Sequence, residues 1–160
     1  MITDFPSLVQ ALQTDGASIQ ADTAAGTIRI PLVEDWIQSV LWLRWDPEHT
    51  LLHIMLPLPE PIPSERLSNI ESLIAHANHR LVVPGFGLDH EHSRAYFRLT
   101  VPRGEGGLLV FSEVRKLLRT AVETTRDFAP VFRAVAQDGK SVSEALALFR
   151  ARTASAASAA

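Results

Sequence analysis

The chain has 160 residues, 46% of them apolar and 21% charged, with a net charge of −3 and no cysteine. That is the size of one ordinary domain with the balance of a soluble globular protein; it excludes disulfides, iron–sulfur clusters and thiol nucleophiles, and leaves any zinc site to His, Asp and Glu. No apolar run approaches the ~20 residues of a membrane span, and the acidic opening MITDFPSLVQALQTD lacks the basic-then-apolar order of a signal peptide, so a cytoplasmic protein is expected.

SLVQALQ (Ser7 to Gln13) reads as a short helix. Leu8, Ala11 and Leu12 share one face, Ser7 is the predicted cap, and Gly16 ends the segment. ASIQAD and TIRIPLV then read as two strands around TAAG, with Ile28, Ile30 and Leu32 alternating inward. WIQSVLWLRW and LLHIMLPL form a second strand pair around DPEHT, where Asp46 and Pro47 favour a turn. One face of this pair carries Ile37, Leu41, Leu43 and Trp45, matched by Leu52, Ile54, Leu56 and Leu58. The other carries Trp36, Val40 and Trp42, matched by Leu51 and Met55. A sheet with one wet side is polar there. Here both sides are apolar, so the second face is expected to meet another layer, a second copy or a partner.

The proline-rich PLPEPIP (Pro57 to Pro63) is neither helix nor central strand and reads as an extended connector. SERLSNIESLIAHANHRL is the second helix, capped by Ser64, with Leu67, Ile70, Ile74, Ala77 and Leu81 as its core stripe. GFGLDH and RAYFRLTV follow as a hairpin around EHS. Ala95, Phe97, Leu99 and Val101 face one way, and Tyr96, Arg98 and Thr100 the other. RGEGG (Arg103 to Gly107) is a loop. The third helix starts between Leu109 and Ser112, with Val114, Leu117, Leu118, Ala121, Thr125, Phe128, Phe132 and Val135 as its stripe. Pro130 lies inside that stripe, so a bend is expected near Arg126 to Asp127. SVSEALALFR is a last short helix with a capping box of Ser141 and Glu144. Residues 1–150 are thus expected to form a single domain, and 151–160 (ARTASAASAA) a disordered low-complexity tail.

Charge is unevenly spread. Residues 1–102 hold 6 basic and 12 acidic side chains, and residues 103–160 hold 9 and 6. Much of the positive charge falls on the third helix (Arg115, Lys116, Arg119, Arg126, Arg133). A solvated helix face is expected there, because aromatic residues are not interleaved with the charges as single-strand binding requires.

The stretch His79 to Leu99, HRLVVPGFGLDHEHSRAYFRL, is the one that looks most like a site. His76 and His79 are three apart on the second helix, and His90 and His92 follow in the hairpin beside Asp89 and Glu91. The spacing is not the His-Glu-x-x-His of zinc peptidases. The first pair lies off the core stripe and the second falls in a turn. Solvated side chains are expected, with no metal and no cofactor. Gly85 and Gly87 form Gly-x-Gly, but in the order helix then strand, the reverse of a dinucleotide fingerprint. Gly85 is expected to allow the sharp exit from the helix, and Gly87 the close packing of a neighbouring ring or backbone. No Gly-x-Ser-x-Gly occurs, and no carboxylate pair can be placed in one pocket. No catalytic residue is expected.

The segment from LIAHANHRLVVPGFGLDHEHSRAYFRLTVP through VRKLLRTAVETTRDFAPVFRAVAQDG resembles the YbjN family of bacterial proteins. The matching features are a helix ending in Asn-x-x-Leu (Asn78 to Leu81), a strand start with Gly85, Phe86 and Asp89, and an aromatic-Ala-Pro step at Phe128, Ala129 and Pro130. They span roughly Leu51 to Gly139. The resemblance implies an α+β fold like that of type III secretion chaperones: an antiparallel sheet packed against helices, in the order helix, strands, helix, hairpin, long helix. It also implies a non-enzymatic protein-binding domain, chaperone-like or a regulatory, stress-related adaptor, often a homodimer. With the two-faced strands, this places the expected interface at Val40, Trp42, Met55 and Tyr96. The partner protein is not named by the sequence. A nucleic-acid adaptor using the basic third helix and a histidine-based metal protein are the alternatives.

Overall fold

Alternation with a period of two puts an apolar residue on the same side at every second position, and the register of neighbouring strands lines those positions up. In the computed structural model this joins all the strands into one sheet. The structure describes residues 1–104, 106 and 108–158, the side chains of 152–158 aside. In chain order the elements are α1 (Phe5–Thr14), β1 (Gln20–Asp22), β2 (Thr27–Glu34), β3 (Ile37–Asp46), β4 (Leu51–Pro57), a single 3-10 turn (Ser64–Arg66), α2 (Leu67–Arg80), β5 (Phe86–Asp89), β6 (Arg94–Pro102), α3 (Phe111–Ala136) and α4 (Val142–Ser158). The sheet order is β1-β2-β3-β4-β6-β5, antiparallel throughout. The hairpin β5–β6 is thus not a separate unit: β6 pairs with β4 from Tyr96 to Pro102.

The helices lie on one face. α3 packs on β4 and β6, and α2 on β5. Leu52, Ile54, Leu56 and Phe97 on that face are fully buried, and Ile70, Leu73, Val114 and Val135 of the helices meet them in one core. Phe86 lies between Phe97, Phe128 and Phe132, at centroid distances of 5.0, 5.3 and 4.9 Å. Such tilted ring contacts add to burial.

Several local readings change. The cap of α1 is Asp4, which accepts from the Ser7 N–H at 2.8 Å, while the Ser7 hydroxyl oxygen accepts from the Asp4 N–H. Ser7 is thus the reciprocal partner of the box. Ser64 caps nothing; it opens the 3-10 turn, and α2 starts three residues later without a side-chain cap. Trp36 is displaced from the outer face and packs against the core. α3 runs unbroken through Pro130, whose ring is exposed between the buried Ala129 and Val131. The Ser141–Glu144 box is present, with the Ser141 N–H donating to Glu144 at 2.8 Å. α4 continues to Ser158, past the Arg150 end read from the sequence pattern, and alanine is the strongest helix former. Of the loop Arg103 to Gly107, Glu105 and Gly107 lie outside the described residues, as do Ala159 and Ala160 of the tail.

Candidate functional site

No helix covers the second face of the sheet among the described residues, and its geometry follows from strand register. Arg29 of β2 pairs with Trp42 of β3, Trp42 with Met55 of β4, and Met55 with Arg98 of β6. Residues directly opposite point to the same side, so these four form one row across the sheet. The adjacent row is Thr27, Arg44, His53 and Thr100. On the other flank Val40 pairs with Pro31, and Tyr96 with both Pro57 and Gly87. Val40, Trp42, Met55 and Tyr96 are all half-buried, and none of them packs against the core.

The arginines are set among the aromatics. The Arg29 guanidinium lies 4.2 Å from the Trp42 ring centroid, a cation–π contact, and that of Arg98 lies 6.0 Å from Tyr96. A hollow of about 270 Å3 opens in this face, lined by Thr27, Trp42, Leu43, Arg44, His53, Met55 and Arg98. Arg29, Arg44 and Arg98 are exposed, and none takes part in an ion pair among the described residues. Two acids share this side by register: Asp22, opposite Thr27, and Asp46, two residues from Arg44. Asp46 accepts N–H bonds from Glu48 and His49 at 3.0 Å each and lies 3.9 Å from His53. Those bonds, His49 foremost, hold its carboxyl down at about 2.

A second hollow, of about 410 Å3, lies at the sheet edge and is lined by Val83, Pro84, Gly85, Thr100, Val101 and Leu117, among others. It exists because β5 pairs with β6 only from Arg94 to Phe97. The corner beside it is built by Asn78. Its side-chain oxygen accepts from the N–H groups of Gly85 and Phe86 at 3.2 and 3.0 Å, and its amide donates to the Phe86 carbonyl at 2.9 Å. A Cβ on Gly85 would lie 2.4 Å from the Arg98 carbonyl oxygen, and one on Gly87 would lie 2.5 Å from the Tyr96 ring. Gly85 has no positive φ. Space, not backbone freedom, is what glycine supplies at this corner. Asp89 closes the β5–β6 turn by accepting from the N–H of His92 at 3.1 Å and pairing with its ring at 2.7 Å. The bond to that ring is the main reason its carboxyl sits below the usual range.

The histidines go separate ways. His76 bonds the Ser72 carbonyl at 2.8 Å, His90 faces Glu71 at 3.2 Å, and His92 pairs with Asp89. His79 is exposed at the end of α2. Among the described residues no three of His, Asp and Glu are grouped to hold a metal ion. On α3, Arg115 pairs with Asp15 at 2.9 Å, Lys116 with Glu113 at 2.8 Å, and Arg133 with Glu60. Asp4, Asp46, Asp89 and Glu144, all held below the usual carboxylate range, each accept bonds in a helix cap or a turn.

The sequence pattern put Val40, Trp42, Met55 and Tyr96 on this face, as the register does, but did not put Arg29, Arg44 and His53 beside them. The usable signal was parity: Arg44 stands two residues from Trp42, and His53 two from Met55.

The family whose pattern matches this chain is YbjN, described as "Putative bacterial sensory transduction regulator", over residues 8–134. No curated protein matches the sequence. Among solved structures, YbjN of E. coli, described as "a putative transcription regulator", superposes with a TM-score of 0.63 at 8% identity, covering 84% of this chain and 93% of that one. A chain from the structure of the HopA1–SchA chaperone–effector complex superposes with a TM-score of 0.56 at 19% identity, covering 78% and 93%. At these identities the likeness shows the fold, which is the secretion-chaperone-like α+β class that the sequence suggested. No helix among the described residues is long and apolar enough to cross a membrane.

Proposed function

This chain belongs to the YbjN family, and we propose that it is a non-enzymatic, chaperone-like or adaptor domain that binds protein through the helix-free face of its sheet. One observation carries the reading: Val40, Trp42, Met55 and Tyr96 share that face, and none of them packs on the core. Aromatic anchors usually dominate the energy of a protein interface. The shared fold with a chain of a chaperone–effector complex supports the same reading. A cysteine-free chain suits a reducing compartment such as the cytoplasm.

A second copy of the chain is one occupant this face could take, as a homodimer built on Val40, Trp42, Met55 and Tyr96. A two-fold dimer sets the same patch against itself, residue i on residue j and j on i, and so brings two sets of Arg29, Arg44 and Arg98 into one interface. That excess of positive charge opposes the pairing except where Asp22 or Asp46 of one copy meets an arginine of the other. A partner of opposite charge meets no such cost.

The test pairs sedimentation of the pure protein with capture from native cytosol, using wild type and Trp42→Ala. The expected result is a partner, or a second copy, that is held by wild type and lost in the variant while its thermal melt stays near wild type. If Trp42→Ala changes neither the mass nor the captured set, the face is not the binding site.

A further inference from the structure

We propose that the outer face of the sheet takes an acidic polypeptide segment, with an apolar or aromatic side chain seated beside Trp42 and carboxylates on Arg29, Arg44 and Arg98. The inference rests on the protein-binding reading and adds the chemistry of the partner. Arg29, Trp42, Met55 and Arg98 form one cross-strand row, and Arg44 stands in the next. The three guanidiniums are exposed and have no carboxylate partner among the described residues, in a chain whose first 102 residues hold 6 basic and 12 acidic side chains. On α3, Arg115, Lys116 and Arg133 are paired with acids, while Arg119 and Arg126 are exposed without an ion pair among the described residues and have no tryptophan beside them. The sheet therefore presents three arginines without an ion pair among the described residues around one tryptophan, with Asp22 and Asp46 on the same side by register. Guanidinium forks match carboxylates in two-point geometry.

The floor between the arginines is apolar. Trp42 and Met55 line the hollow of about 270 Å3, room for one large side chain. Arg29 already stacks on Trp42 at 4.2 Å, which holds its fork in place before a partner arrives. A purely apolar partner would strip water from three guanidiniums without replacing those bonds. A second copy would bring three more arginines into the same interface. An acidic segment with an apolar anchor satisfies both parts of the surface.

The experiment measures binding of the full chain, by fluorescence anisotropy, to four labelled probes: a glutamate–tyrosine copolymer, polyglutamate, a lysine–tyrosine copolymer and oligothymidylate. The glutamate–tyrosine copolymer is expected to bind best, and its affinity to fall as salt rises. Arg44→Gln with Arg98→Gln should weaken it about tenfold, as expected for two exposed ion pairs. Trp42→Ala should erase the advantage of the copolymer over polyglutamate. Thermal melts of each variant confirm the fold. Stronger binding of oligothymidylate overturns the proposal in favour of nucleic acid. Equal binding of the lysine copolymer, no binding of the glutamate–tyrosine copolymer, or indifference to the arginine substitutions overturns it as well. If the glutamate–tyrosine copolymer fails while Trp42→Ala still abolishes self-association or partner capture, the acidic partner is wrong and the protein-binding face stands.

Discussion

On strand β4, Leu52, Ile54 and Leu56 are fully enclosed, while Leu51, His53, Met55 and Pro57 between them stay half-buried. The same backbone thus serves two surfaces. The inner one meets α2 and α3 and is closed in one core. The outer one is apolar at its centre but edged by arginines, and no helix covers it among the described residues. Hydrophobicity alone does not tell the two apart. What differs is what the rest of the chain brings to each: helices with apolar stripes on one side and, among the described residues, no helix on the other. The inner face stabilises the fold, and the outer face remains available for a partner.

That comparison breaks if the two faces respond alike to truncation. Phe97→Ala removes a fully buried ring packed on Phe86 and should cost about 3–5 kcal/mol. Trp42→Ala removes a larger ring and should cost less than about 1 kcal/mol, because it leaves no cavity. Urea unfolding measures both, and similar losses would mean that Trp42 belongs to the core. Asn78→Ala sharpens the contrast at the sheet edge. It leaves the Gly85 and Phe86 N–H groups and the Phe86 carbonyl without their partner, and should cost about 1–3 kcal/mol. Gly85→Ala sets a methyl 2.4 Å from the Arg98 carbonyl and about 3 Å from the Phe97 ring. Backbone cannot rotate away as a side chain can, so a cost of about 1–3 kcal/mol is expected. Amide exchange at Phe86 and Arg98 should rise in that variant.

The smallest effect concerns Asp46 at the rim of the outer face. Its carboxyl titrates at about 2 in the folded chain, below its usual 3.8, chiefly because it accepts the His49 N–H. A carboxylate with a lowered folded value stabilises fully above its unfolded value and loses that contribution as pH falls through the folded one. Wild type should therefore melt above Asp46→Asn at pH 6, and the gap should close between pH 4 and pH 2. A gap that stayed constant over that range would mean that Asp46 acts by shape and not by charge.

Much of this was legible in order along the chain. The period-two runs marked the inner faces of β3, β4 and β6, and the stripe from Val114 to Val135 marked α3. The family suggested by the Asn78, Gly85, Phe86 and Asp89 pattern is the one that matches residues 8–134. Errors came where one residue type serves two roles. Ser7 and Ser64 both look like caps, but a cap depends on which residue leaves helical geometry, and at α1 that residue is Asp4. The histidines are close in sequence but were expected to be solvated, and their rings turn to Ser72, Glu71 and Asp89.

By itself the sequence determined the α+β class, the inner faces and the apolar residues of the outer face, because each rests on a period that neighbours within one strand or helix reveal. It also pointed to α3 as the basic surface. Only the tertiary structure decided where unpaired positive charge lies. Ion pairs engage Arg115, Lys116 and Arg133 but, among the described residues, not Arg119 and Arg126, while strand register brings Arg29, Arg44 and Arg98 together around Trp42. Register is a long-range property set by four strands at once, and no local pattern in the chain records it.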